Sequence, residues 1–143
     1  MTARHFNAGV GKQMSMRDGF VVGGPLILLR LEGAAVFTAA ILIYAHLGLT
    51  WWAFVALILI PDASMLGYLA NARIGAASYN AVHTATAPIA LLGLAFLLSN
   101  PLTMSLGAIW LAHIGLDRML GYGLKYATDF ADTHLGVLGR KAK

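Results

Sequence analysis

Cysteine is absent from the 143 residues, which removes disulfides, thiolate metal sites and thiol nucleophiles. Charge is almost as scarce, at 11% of residues against about 25% for an ordinary soluble domain. No glycine loop of the phosphate-cradling kind is present, and no serine sits in a nucleophile elbow. What remains is apolar: 59% of residues are hydrophobic and the mean hydropathy is +0.73. Four apolar stretches of about 20 residues each would use most of such a chain, so it reads as an integral membrane protein of one domain. The net charge of +4 excludes little by itself. Its lysines and arginines lie mainly in the tails and one loop rather than in a patch interleaved with aromatics, so they read as topology signals and not as a nucleic-acid surface.

In order, the chain begins with a basic segment, 1–24, holding Arg4, Lys12 and Arg17 among five glycines and no sustained periodicity. Spans are expected over about 25–47, 51–70, 74–98 and 102–124, and a tail over 127–143. Trp51 and Trp52 suit an interfacial belt. Pro61 removes a backbone hydrogen bond beside Asp62 and predicts a kink there, and Ser99-Asn100-Pro101 is a turn. In the GYG of 121–123 the glycines read as helix-terminating. Loops 48–50 and 99–101 contain no Lys or Arg, whereas Arg73, Lys125 and both tails are basic. The positive-inside rule then places both termini in the cytoplasm. The expected fold is all-α, an antiparallel four-helix bundle in the bacterial inner membrane.

Inside these spans a charge is expensive, and an ionisable side chain there marks a functional site by default. Counting about 1.5 Å per residue from the cytoplasmic ends puts Glu32 and Asp117 roughly 10 Å deep, Asp62 and His83 roughly 12 Å and His113 roughly 16 Å. One costly group from each helix falls in the same layer. The outer halves of the second, third and fourth spans hold almost nothing ionisable. His113 and Asp117 are i, i+4 and share a face, as do Tyr79 and His83. The layer is therefore expected to be a polar chamber in the cytoplasmic half.

The segments LLRLEG (28–33), PDASMLGYL (61–69), GAASYNAVH (75–83), WLAHIGLDRMLGYGLKY (110–126) and DTHLG (132–136) resemble the domain-of-unknown-function family 4260, small bacterial integral membrane proteins. The resemblance runs over roughly 26–138. It implies a four-helix membrane fold and brings no activity with it.

Several chemistries fit the layer. His113 and Asp117 could simply lock helices together through interhelical hydrogen bonds. Two histidines with two or three carboxylates are also the ingredients of a bundle-core metal site; the ligands would be His83, His113, Asp117 and Asp62 and the cofactor a divalent metal. Against this, no Glu-x-x-His or His-x-x-x-His pair is present and arginines lie nearby. The third reading is acid–base catalysis on a lipophilic or amphipathic substrate drawn from the lipid bilayer. Glu32, Asp62 and Asp117 would transfer protons, with His83 and His113 as relays. Arg118, Tyr68, Tyr79, Asn80 and Tyr122 would orient the substrate. Arg30 is expected to reach the headgroups while Glu32 turns inward. A membrane-embedded enzyme is the preferred function. A proton-coupled carrier or ion pathway and an accessory subunit of a membrane complex are the alternatives, and no nucleic-acid partner is expected.

Overall fold

The computed structural model describes residues 19–138; Arg4, Lys12 and Arg17 of the basic segment lie outside them. The described chain is mostly helical. Helix α1 runs Gly24–His46, α2 Trp51–Leu57, a 3₁₀ segment follows over Ile60–Leu69, then α3 Ala72–His83, α4 Thr86–Leu97 and α5 Pro101–Leu120. Two short strands, β1 (Asp132–Thr133) and β2 (Gly136–Val137), pair antiparallel in the tail. Three stretches are long and apolar enough to cross a membrane: Gly24–His46, Trp51–Leu69 and Ala72–Leu97.

Helix α5 is the axis on which the others pack. Nine of its residues are buried, including the run Leu111–Gly115, whereas α1 buries only Gly33, Ala40 and Tyr44. The contact with α1 is made backbone to backbone. A Cβ on Gly33 would stand 2.6 Å from the Met119 nitrogen and one on Gly115 would stand 2.5 Å from the Phe37 nitrogen, so the two helices run antiparallel with no room for a side chain between them. Close approach at small residues is how membrane helices gain packing when lipid supplies no hydrophobic drive. Further along the same seam Ala40, Tyr44, Ala108, Ile109 and Ala112 form the core with Phe54 and Leu111. The rest of α1 to α4 presents Leu, Ile, Val, Phe and Trp outward.

Two of the expected continuous spans are interrupted, each beside a proline and each next to a residue of the polar layer. Pro61 has no N–H to donate; the α-helix stops at Leu57 and the chain tightens into the 3₁₀ segment that carries Asp62. The third span, expected over 74–98, breaks after His83, where Thr84 is extended (φ −87°, ψ 139°). Continued as one helix, it would bring the Pro88 ring against the Thr84 carbonyl. Gly121, with φ 96°, ends α5 in the left-handed conformation. The segment after it folds back: Val21 N donates to His134 O at 2.9 Å and Tyr126 OH donates to the Gly19 carbonyl, so both described ends meet at the same end of the molecule.

Candidate metal centre

The breaks bring the polar layer together. Asp62 arrives on the 3₁₀ segment, which lies against α3 through Ser78 Oγ donating to Ser64 O at 2.8 Å. His83 is the last residue of α3, and its carbonyl and that of Val82 have no helical partner beyond the break. Helix α5 supplies the missing donors. Trp110 Nε1 donates to Val82 O at 2.7 Å and Arg118 Nη2 to His83 O at 2.8 Å. These two contacts seat the end of α3 on the stretch of α5 that holds His113 and Asp117.

Four ligand atoms converge as a result. His83 Nε2 and His113 Nε2 are 3.0 Å apart. Asp62 Oδ1 is 3.5 Å from each of them, and Asp117 Oδ2 is 3.7 Å from each. A tetrahedral ion with bonds of about 2.0–2.1 Å has ligand–ligand edges of about 3.3–3.4 Å, and the three distances among Asp62, His83 and His113, 3.0, 3.5 and 3.5 Å, bracket that value. The ring of His83 is set for such a role. Its Nδ1 lies 2.9 Å from the Tyr79 carbonyl; a carbonyl only accepts, so Nδ1 carries the hydrogen and Nε2 presents its lone pair. The Tyr79 ring stacks on His83 with centroids 3.7 Å apart, and its hydroxyl donates to Asp117 Oδ2 at 3.0 Å. Histidine ligands are commonly fixed by such a second hydrogen bond.

Burial grades across the site. The side chains of His83 and His113 are 0% and 3% exposed, Asp117 13% and Asp62 34%. The cluster is therefore closed from the α5 side and open beside Asp62. Asp62, His83 and His113 form the tightest set of possible ligands; Asp117 stands slightly farther off.

The other residues singled out from the sequence are placed elsewhere. Glu32 is exposed on α1, and the ion pairs among the described residues involve Asp62 and Asp117 instead. Its neighbour Gly33 faces α5, and a helix turns about 100° per residue, so Glu32 points away from the cluster. Arg30 Nε donates to the Met119 carbonyl at 2.9 Å. Arg118 turns to the carbonyls of His83 and Tyr122. Asn80 is engaged with the tail in both directions: its Nδ2 donates to Lys125 O at 2.9 Å and its Oδ1 accepts from Lys125 N at 2.7 Å. Tyr68 packs edge-on against Phe130, and Tyr122 is exposed.

Four more residues near the cluster carry no signal in the sequence pattern, Lys125 and Thr133 in the tail, Trp110 on α5 and Ser64 on the 3₁₀ segment. Lys125 is buried; its Nζ donates to Phe130 O at 2.7 Å and sits 4.1 Å from the Phe130 ring centroid. Burial pushes its pKa below the ordinary lysine value. Thr133 is fully buried and donates to Gly136 O within the hairpin. Trp110 and Ser64 lie in apolar surroundings where nothing in their spacing marks them out.

A family model described as a domain of unknown function (DUF4260) matches residues 26–138. No curated protein and no solved structure matches the chain.

Proposed function

The chain belongs to the DUF4260 family, whose description carries no activity, and we propose from the site itself that it is a membrane-embedded, metal-dependent hydrolase acting on a lipophilic substrate. The observation that carries this reading is the convergence of Asp62 Oδ1, His83 Nε2 and His113 Nε2 at 3.0–3.5 Å, with Asp117 Oδ2 3.7 Å from both histidines. Imidazole with carboxylate suits zinc or a similar first-row dication.

Asp62, His83 and His113 act as the protein ligands, the two-histidine, one-carboxylate pattern that leaves a fourth position for water. A dication there supplies Lewis acidity: it lowers the pKa of water and polarises a carbonyl. Asp117, held by Tyr79, is the general base that takes the proton of the attacking water and returns it to the leaving group. Asp62 marks the open side through which water and substrate enter. The absence of ionisable residues from α2, α4 and the first half of α5 supports a closed-ended chamber over a transmembrane route.

The same reading sets the chain in the bacterial inner membrane as an antiparallel four-helix bundle with both termini cytoplasmic. Its support is that Arg30, Arg73, Arg118 and Lys125 belong to one end, with the paired termini, while the loops at 47–50 and 98–100 hold no Lys or Arg.

Elemental analysis of the purified protein tests the proposal. One zinc-class ion per chain, removed by a chelator and restored by added Zn²⁺ together with a rise in thermal stability, is expected. Sub-stoichiometric metal with no response to Zn²⁺ overturns it.

A further inference from the structure

Beside the proposed ion site lies an apolar cavity of about 430 Å³, whose walls include Leu57, Pro61, Ser64, Val82, Ile109 and Trp110. Its walls and the ligands share the same elements. Pro61 and Val82 immediately precede Asp62 and His83. Ile109 and Trp110 precede His113 by four and three residues, so they lie on its face of α5 one turn away, about 5.4 Å. That turn leads toward the half of the molecule without ionisable groups. The volume is at the small end for ligand pockets, which run about 300–1,000 Å³; it suits one hydrocarbon chain and not the two chains of a phospholipid.

Two further features bear on the polar end of such a ligand. Ser64 lines the cavity, and its Oγ is buried just behind that wall with no hydrogen-bond partner among the described residues. A buried hydroxyl left unpaired is costly, and a ligand oxygen reaching it removes that cost. Charge is the second. A dication and the carboxylates of Asp62 and Asp117 sum to zero, while Arg118 and Lys125 keep their charges but direct their N–H groups at backbone carbonyls, Arg118 at those of His83 and Tyr122 and Lys125 at that of Phe130. No cationic side chain lines the cavity among the described residues to pair with a phosphate, so a neutral scissile group fits there better than an anionic one.

We infer that this cavity takes the hydrocarbon chain of a neutral, single-chain carboxylic ester, with the ester carbonyl delivered to the ion site. The inference rests on the hydrolase reading above. In the reaction the water oxygen forms a bond to the carbonyl carbon and its proton passes to Asp117. The bond from that carbon to the alcohol oxygen then breaks with its electron pair on oxygen, and the alcohol leaves with the proton. One water is consumed, one acid and one alcohol are formed, and nothing is oxidised or reduced.

The test uses the full-length, zinc-loaded protein in detergent with p-nitrophenyl butyrate and p-nitrophenyl octanoate, each below its micelle concentration. Four additional buried methylenes, each worth roughly a few-fold, predict kcat/KM at least about tenfold higher for the octanoate. Filling the cavity by Val82→Phe, or independently by Leu57→Phe, should collapse that octanoate-to-butyrate ratio toward unity. Octyl phosphate should be a poor substrate. Equal rates on the two esters, a preference that survives both fillings, or octyl phosphate cleaved faster than the octanoate overturns the assignment while leaving the hydrolase reading intact. A protein that binds no metal and cleaves neither ester sinks both.

Discussion

The Nε2 atoms of His83 and His113 face each other across 3.0 Å, one from the C-terminal end of α3 and the other from the buried part of α5. With the His83 hydrogen committed at Nδ1 to the Tyr79 carbonyl, two ring nitrogens meet with a carboxylate oxygen 3.5 Å from both. A cation between them satisfies all three at once.

That arrangement separates the roles of the two carboxylates. His83→Ala, His113→Ala and Asp62→Ala should each abolish stoichiometric metal, a loss exceeding the roughly 10–100-fold that outer-shell changes produce. Asp117→Asn should keep the ion and lose turnover, because the amide cannot accept the proton. Calorimetric Zn²⁺ titration beside an ester assay resolves the two classes; loss of metal in Asp117→Asn would instead make it a fourth ligand.

Tyr79 touches the site only through others. Its hydroxyl holds Asp117 Oδ2 and its carbonyl holds His83 Nδ1, and only the hydroxyl is removed by Tyr79→Phe. Activity should fall by about 10–100-fold through kcat, with metal content and KM nearly unchanged. An unchanged kcat would mean that Asp117 needs no such support.

The α1–α5 seam predicts a stability effect remote from the chemistry. Gly115→Ala places a Cβ 2.5 Å from the Phe37 nitrogen, and overpacking of this kind costs about 1–3 kcal/mol. Gly93→Ala, where the added Cβ meets nothing within 4 Å, should be neutral or stabilising by up to about 1 kcal/mol. Thermal unfolding in one detergent compares them, and equal melting points would remove the seam from the account.

The tail should loosen in mild acid. His134 Nδ1 accepts the Leu124 N–H at 2.8 Å, and burial, aided by the Arg118 charge, pushes its pKa below the ordinary 6.5. The unfolded tail therefore binds more protons than the folded one as pH falls through 6.5. The stability contributed by neutral His134 is complete above that value and is lost on acidification through the folded pKa. Hydrogen-exchange protection at Leu124 and Leu135, taken relative to the intrinsic amide rate at each pH, should fall from pH 8 to pH 5 in the native protein and much less in His134→Gln. Equal pH profiles for the two proteins would contradict this.

Depth in the sequence was enough to collect Asp62, His83, His113 and Asp117, because counting residues along a span gives height in the membrane directly. Height says nothing of azimuth, so depth alone groups Glu32 with them although Gly33, one residue on, faces α5. The interruptions at Pro61 and before Pro88 were only half legible. A proline marks where a hydrogen bond is lost, but whether the chain bends, tightens into 3₁₀ or breaks depends on which neighbour catches the released carbonyls. Here Trp110 and Arg118 do so from 28 and 35 residues away. The tail hairpin was not legible at all, since Thr133 and Lys125 carry no apolar periodicity and are buried by tertiary contacts alone.

The break between α3 and α4 also divides labour along the third span. Every side chain that reaches the cluster of Asp62, His113 and Asp117 from this span lies at or before His83, and α4, from Thr86 to Leu97, is wholly uncharged. The outward-facing residues of the second half can thus be exchanged to match a thicker or thinner bilayer, at fractions of a kcal/mol per ångström of mismatch, while Pro88, Leu92 and Ala95 keep their packing against the core. Adaptation to a different lipid composition is confined to a piece of chain that the chemistry never consults.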